Sequence, residues 1–350
     1  MQHPVRVAIL GFGGLGKGMA HLIPQRPDFQ WVAVADSQGF AFDAAGLSLT
    51  ADKQLDRPMI ADGDAIISLL KRHGQDIDAV FMALPNLPVD FFADIMRRIL
   101  AETGFEGVFV DALKRTEAVE RLLNLNEDFR NRHILYITGA GATPGFLTTI
   151  AAVAAHSFVE VLEVNIHFGV GIANWEAYKA TVREDFIHLA GFDAKRVSCM
   201  SDEEIAAELD MRGGLLELVN MEHADDIILE LAGVCPRDRV TVGGLVDTRN
   251  AKKPVSTSVT VSGRTATGAV GSHQFTVSDE ATMVDNVCGP ALGFLLRGIE
   301  LRQKNNMQGL VTSADLMPRF STRTFGMDSH PLNEEAVSSQ SSDRELALSI

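Results

Sequence analysis

Residues 5–17 read VRVAILGFGGLGK. An apolar run (Val5, Val7, Ala8, Ile9, Leu10) enters a glycine turn, Gly11-x-Gly13-x-x-Gly16. A helical pattern opens behind it with Lys17, Met19, Ala20, Leu22 and Ile23, and Pro24 stops it. Strand, glycine turn and helix in that order make a dinucleotide-binding turn. The first glycine bends tightly, the second lets the backbone approach a pyrophosphate, and the third lets the helix lie close on the strand. The helix start then offers unpaired N–H groups and a positive dipole end to the phosphates. Gly11, Phe12, Gly13, Gly14, Leu15 and Gly16 are therefore expected to bind a cofactor.

A second strand, Trp31 to Ala35, ends in Asp36, twenty residues after Gly16. A carboxylate at that tip accepts hydrogen bonds from both ribose hydroxyls and repels a 2′-phosphate. The neighbours Ser37 and Gln38 bring no arginine to receive that phosphate, so NAD is expected over NADP. The plainer role for Asp36 is a turn aspartate bonded to its own backbone.

Strands and helices continue to alternate outward from this unit. Ala65–Arg72 is predicted helical, Ile77–Leu84 (IDAVFMAL) a buried strand, and Val89–Leu100 a helix. Gly107–Ala112 (GVFVDA) is a strand, Glu117–Phe129 a helix, and His133–Thr138 (HILYIT) a strand. Such alternation implies a Rossmann-type, doubly wound parallel sheet in an α/β fold. After Gly145 the pattern changes. Phe146–His156 and the region Trp175–Leu189 read as helices, and Val159–Gly169 as an alternating strand. An acidic helical segment, Asp202–Leu209, follows. Period-two runs then come at Arg239–Val246, Ser256–Ser262, Thr265–Gly271 and His273–Val277, the pattern of a mostly antiparallel sheet in an α+β domain. The expected domains are 1–145 for the dinucleotide and 146–323 for substrate and oligomerisation. Pro290–Arg302 is a helix with proline at its start that can pack back on the first domain. Residues 324–350, rich in Ser, Asn and Glu, are expected to be a mobile tail.

Composition narrows the function. A net charge of −15 leaves no basic stripe to neutralise phosphates, which argues against nucleic acid. Cys199, Cys235 and Cys288 are scattered without CxxC spacing, which fits a reducing cytoplasm and gives no structural zinc site. Scattered Asp and Glu show no metal-ligand spacing, so no metal is expected. The opening MQHPVRV runs straight into a strand without a signal-like apolar stretch, and no apolar run reaches the roughly 20 residues a membrane span requires. The Val/Thr-rich region Ser256–Val277 has too few charges for full exposure, so a homodimer or larger assembly is expected.

The segment VADSQGFAFDAAGLSL and the strand end VFVDALKR resemble homoserine dehydrogenase, with Lys114 falling on that family's turn lysine. Position 113 is Leu where that family has Asn, and GIANWEAYK is only loosely similar to its substrate motif. GAGATPGFL (139–147) resembles the junction of saccharopine and diaminopimelate dehydrogenases. HQFTVSDEATMVDNVCGPALGFL resembles the sheet-to-helix return of saccharopine-dehydrogenase-like oxidoreductases, the group the whole chain matches best. The resemblance implies an NAD(P)-dependent oxidoreductase interconverting alcohol and carbonyl, or amine and imine, on a small polar, amino-acid-derived substrate.

Catalytic candidates should sit just beyond strand ends. Leu84, Pro85 and Asn86 close one strand and can contact the nicotinamide ribose, or simply stop the strand. Asp111 and Lys114 lie at the next strand end. Lys114 can donate a proton to, or orient, a substrate oxygen, and burial could lower its pKa toward neutrality. Gly141 and Thr143 sit in a small-residue turn that permits close approach to the nicotinamide, or serves as a hinge. Tyr178 and Lys179 can supply a proton donor and a carboxylate anchor. Trp175 can cover the ring, and His167 and Glu184 lie nearby in sequence. Two further readings stand beside the oxidoreductase: a non-catalytic nucleotide sensor, and a synthase or lyase using bound NAD transiently.

Overall fold

The computed structural model describes residues 3–85, 88–172, 175–277 and 283–321. Strand β1 (Val5–Leu10) is buried along its whole length apart from the half-buried Arg6. Both faces of a central parallel strand are covered, which is why its sequence reads as a continuous apolar run. Helix α1 (Gly14–Leu22) leads to β2 (Phe29–Asp36), after which the chain doubles back in antiparallel β3 (Gly39–Phe42) and a two-residue β4 (Ile60–Ala61). Helix α2 (Ala65–His73) then crosses to β5 (Ala79–Met82), parallel to β1 on its other side. Helix α3 (Phe91–Glu102), β6 (Val108–Asp111), helices α4 (Thr116–Leu123) and α5 (Asn126–Asn131), and β7 (Leu135–Thr138) continue in that direction. The segment predicted as one helix over Glu117–Phe129 is thus two. Leu125 turns inward between them, its N–H donating to the Leu122 carbonyl.

Helix α6 (Phe146–Ala155) opens the second unit and β8 (Glu160–Gly171) is its central strand. Helices α7 (Lys179–Ile187), α8 (Ala194–Cys199) and α9 (Asp202–Met211) precede β9 (Leu215–Leu218). Helix α10 (Asp225–Leu231) leads to β10 (Val240–Asp247), β11 (Thr257–Arg264) and β12 (Val270–Val277). The strand order is β12-β11-β8-β10-β9, and only the β8–β10 pair is parallel. The expected separate strand at Thr265–Gly271 is mostly turn. Thr265 and Gly268 bond across a hairpin, and β12 starts only at Val270.

Helix α11 (Met283–Asn305) returns to the first sheet, burying Cys288, Leu292, Phe294 and Leu295 with Ile9, Phe81 and Val110. Strand β13 (Gly309–Thr312), unforeseen in the sequence, pairs parallel with β7 and completes the order β13-β7-β6-β5-β1-β2-β3-β4. Helices α1 and α11 cover one face, and α2, α3 and α4 the other, so the sheet is doubly wound. Pro290 lies inside α11 rather than at its start. Lacking an N–H, it leaves the carbonyl one turn back, on Asn286, without that helical donor. The tail expected to be mobile, 324–350, falls outside the described residues.

Asp111 closes β6 and is fully buried. Its Oδ1 accepts from the backbone N–H of Leu113 (3.0 Å) and Gly139 (2.7 Å) and from Thr138 (3.2 Å), tying together the turns after β6 and β7. Burial outweighs these donors and pushes its carboxyl up to about 6. Folding raises this pKa, so the folded chain holds an extra proton between about pH 4 and 6. The stability Asp111 contributes is therefore present in acid and falls by about 3 kcal/mol as pH rises through that window. The neutral isostere Asp111→Asn should remove this dependence. In denaturant titrations, the parent should lose ground to the variant between pH 4 and pH 7; a constant gap would contradict the assignment.

Candidate active site

Strand order reverses at the carboxyl ends of β1 and β5, where the chain departs to β2 on one side and to β6 on the other. Ligands of open α/β sheets bind in the crevice at such a point. A cavity of about 970 Å³ opens there and extends to the second sheet. Gly11 bends the chain into it with φ +96°, and a Cβ at Gly11 would lie 2.3 Å from the Ala83 carbonyl oxygen. A Cβ on Gly16 would lie 2.0 Å from the Gly11 carbonyl oxygen. Gly16 therefore packs helix on strand and does not line the cavity, whereas Gly11, Phe12, Gly13, Gly14 and Leu15 do. The side of Gly13 facing away from the chain is open, which suits a diphosphate at the start of α1. Asp36 and Ser37 line the same end. Asp36 Oδ1 accepts from the Gln38 N–H at 2.7 Å, so it is a turn aspartate that also lines the cavity.

Leu84, Pro85, Gly141 and Thr143 line the middle of the cavity. Asn86 lies outside the described residues. Asp111, expected to touch cofactor, does not line the cavity; its Oδ1 accepts from the backbone of two turns.

Lys114 follows this turn, and its carbonyl accepts from the Ala224 N–H at 2.8 Å. Its ammonium reaches α7, 3.1 Å from Asp185 and 3.3 Å from Glu184, on the cavity wall. The side chain of Lys114 is 19% exposed and those of both carboxylates 6%. Burial by itself lowers an ammonium pKa, but the adjacent Asp185 and Glu184 outweigh it and raise that of Lys114 above the ordinary value. This overturns the expectation of a lysine brought toward neutrality: Lys114 is held charged. Burial pushes the Asp185 carboxyl up, against the pull of Lys114. Arg115 extends the cluster, 3.9 Å from Glu184 and 3.7 Å from Glu222.

A second polar group, unforeseen in the sequence, borders the cavity. His223 Nδ1 lies 2.7 Å from Asp225 Oδ2, both side chains buried. The same carboxylate accepts from Thr143 Oγ1 at 2.6 Å and from Thr148 Oγ1. The available signal was a histidine two residues before an aspartate at the start of a short apolar helix, in the run MEHADDIIL.

Tyr178 also lines the cavity, its ring packed against Gly14. Lys179 lies at the rim, but its ammonium is paired with Asp202, which Arg183 shares, and sits 5.6 Å from the Trp175 ring. The ammonium expected to anchor a carboxylate is thus paired with one of the chain's own. His167 lies on the outward face of β8, away from the cavity. Among the described residues, no group of three or more His, Cys, Asp or Glu side chains is arranged to hold a metal ion. Among them, too, no helix is long and apolar enough to cross a membrane.

The architecture is that of amino-acid dehydrogenases. An engineered D-amino acid dehydrogenase bound to NADP+ is similar with a TM-score of 0.55 and 16% identity, over 92% of this chain and 97% of that one. C. glutamicum DAP dehydrogenase in complex with DAP gives a TM-score of 0.54 and 15% identity over the same shares. Saccharopine dehydrogenase (L-Glu forming) from Saccharomyces cerevisiae gives 0.50 and 9%, over 89% and 94%. At these identities the likeness carries the fold. No family model matches the chain. It is, however, 38% identical over 357 residues to (S)-8-amino-7-oxononanoate synthase BioU of Haloferax mediterranei, covering 90% of this chain and 99% of that protein. The chain belongs to the BioU family. The resemblance to saccharopine and diaminopimelate dehydrogenases is therefore one of fold, and the family is a synthase's.

Neutralising both partners, Glu184→Gln with Asp185→Asn, should let burial dominate and bring the Lys114 pKa below that of an exposed lysine. Chemical shifts of its Cε-labelled ammonium followed against pH report this directly. A titration unchanged from the parent would show that the carboxylates do not hold the charge.

Proposed function

We propose that this chain is an NAD(P)-dependent enzyme working at the amine- and ketone-bearing end of 8-amino-7-oxononanoate, the compound for which its relative is named. One observation carries the reading: a single cavity joins the glycine turn to a chamber holding a charged lysine, two carboxylates and a histidine–aspartate pair. Gly11 to Leu15 would take the diphosphate, Asp36 and Ser37 the adenosine ribose, and the Leu84–Pro85 and Gly141–Thr143 turns the nicotinamide end. A bound nicotinamide supplies hydride exchange between carbon centres, which suits amine/imine interconversion. Phe168, Ile172 and Val246 offer an apolar wall to the alkyl chain. The Lys114 ammonium would face the ketone oxygen, where charge gathers as the carbonyl carbon is attacked. Such a stack of reactive groups speaks against a nucleotide sensor and for an enzyme.

Mixing the protein with 8-amino-7-oxononanoate and NAD(H) or NADP(H) should change the nicotinamide absorbance and yield a product of altered mass. Absence of both binding and spectral change would sink the proposal. Lys114→Ala should lower turnover roughly 100- to 1000-fold with cofactor affinity nearly unchanged. Lys114→Arg should not restore it, because the planar fork cannot occupy the point-charge position between two carboxylates. NAD(H) should bind more tightly than NADP(H), and Asp36→Ala should narrow the gap; tighter NADP(H) binding by the parent would refute the preference.

We also propose that a second copy pairs along the edge strand β12, where Val270 and Phe275 are exposed on opposite sides of the strand. Sedimentation at micromolar concentration should show a dimer or larger species, and Phe275→Glu should shift it to monomer. A parent that sediments as monomer would contradict this.

A further inference from the structure

We propose that Lys253 binds the carboxylate of the substrate, at the end of the chain opposite the ketone, an inference that rests on the functional reading above. The compound 8-amino-7-oxononanoate carries its amine and ketone at one end, a carboxylate at the other, and methylenes between them. A site that takes it needs a cation for the carboxylate as well as groups that meet the ketone. Among the described residues, the lysines and arginines lining the cavity are Arg98, Lys114, Lys179 and Lys253. Arg98 stands on α3 in the first half and makes a double contact with Asp64. Lys114 is held by Glu184 and Asp185 at the place assigned to the ketone. Lys179 is at the rim with Asp202. Lys253 stands apart from all three, in the connection from β10 to β11.

Its residue exposure is only 5%, a depth at which lysine is seldom found. The backbone that carries it has little freedom. Residues 251–257 cross the end of β8, where the strand reads Gly169-Val170-Gly171. A Cβ at Gly169 would lie 1.7 Å from the Val255 carbonyl oxygen, and one at Gly171 would lie 2.5 Å from the Ala251 carbonyl oxygen. A larger residue at either position would push the segment off the strand. Thr257 fastens the segment's end: its Oγ1 accepts from the Gly169 N–H at 3.1 Å and donates to the Gly169 carbonyl at 3.3 Å. Lys253 lies between these points of contact, so its side chain starts from a braced backbone.

The wall beside it is apolar. Strands β8 and β10 and the residue after β8 supply Phe168, Val246 and Ile172, the surface assigned above to the alkyl chain. Lys253 therefore reaches the cavity from the same sheet as that surface, whereas Lys114 reaches it from the turn after β6 in the other half. An ammonium has three N–H donors, so it can keep contacts within the chain and still donate to a carboxylate. In a mainly apolar pocket a few polar groups fix the ligand's orientation. Lys253 is the group that sends the amino ketone end of the chain toward Lys114.

The test is a cycle of two ligands and two proteins. Calorimetry measures binding of 8-amino-7-oxononanoate and of its methyl ester to the parent and to Lys253→Met. The parent should bind the acid about 10- to 100-fold more tightly than the ester, the range of one charge-assisted hydrogen bond. Lys253→Met should lose that preference by weakening the acid alone, with NAD(P)H affinity and melting temperature unchanged. In turnover its KM for the acid should rise by a similar factor at nearly constant kcat, because the carboxylate is held alike before and during reaction. Lys253→Arg should keep most of the preference. In the parent, the acid should move the Cε resonance of labelled Lys253 and the ester should leave it in place, a readout that does not depend on the stability of Lys253→Met. Equal affinity of the parent for acid and ester, an undiminished preference in Lys253→Met, or a Lys253 resonance unmoved by saturating acid would each overturn the assignment and leave the functional reading standing. A parent that binds neither compound would instead sink the functional reading, and this inference with it.

Discussion

One ammonium held between two buried carboxylates governs how the two halves of this protein meet. Lys114 extends from the turn after β6, and Glu184 and Asp185 extend from α7 in the other half. At about 3.1 Å and an effective dielectric near 20, each pairing is worth about 5 kcal/mol of attraction. Removing such ions from water costs several kcal/mol apiece, so the pairing is tolerable only in good geometry with every partner present. Arg115 against Glu184 and Glu222 spreads the compensation further. Helix α7 therefore has one favourable way to dock on the first sheet, and that docking brings Tyr178 against Gly14 and closes the wall of the cavity.

Three buried carboxylates stand near this junction, and their different partners give them different work. Asp111 accepts at Oδ1 from two backbone N–H groups and a hydroxyl, so it fixes two turns and does not line the cavity. Asp185 is satisfied by an ammonium, and holds a charge on the cavity wall. Asp225 is satisfied by two hydroxyls and an imidazole, an arrangement that leaves the far side of a histidine toward the cavity. Burial makes partners costly to lose, and the kind of partner decides whether the result is a braced turn, a fixed charge or a held imidazole.

The likenesses to solved structures and the family relation speak to different levels. Dehydrogenases of 9% to 16% identity share the course of the chain, which shows how the two sheets are arranged. The BioU relative matches along almost its full length at 38%, which fixes the family. Function sits in side chains at strand ends rather than in the course of the backbone, so a shared fold leaves the chemistry open.

The glycine turn was legible in the sequence because its requirements are local. Gly11 and Gly16 answer to steric contacts with neighbouring residues and an adjoining strand, and Asp36 stands at a strand tip counted directly from them. The alternation of strands and helices was legible for the same reason: one strand or helix carries its own periodicity. Strand β13 escaped because an edge strand of four residues has no period long enough to see, and Pro290 misled because a long helix can carry proline in its interior at the loss of one hydrogen bond. The charge state of Lys114 and the pairing of His223 with Asp225 could not be read that way. Glu184 and Asp185 lie some seventy residues from Lys114 in sequence, and Thr143 and Thr148 lie about as far from Asp225. A pKa is set by charges within a few ångströms, whatever their distance along the chain. Sequence alone thus determined the glycine turn and the layered fold, whose rules act between near neighbours; which groups of the cavity are charged, and how they pair, was decided only when tertiary packing brought distant residues into contact.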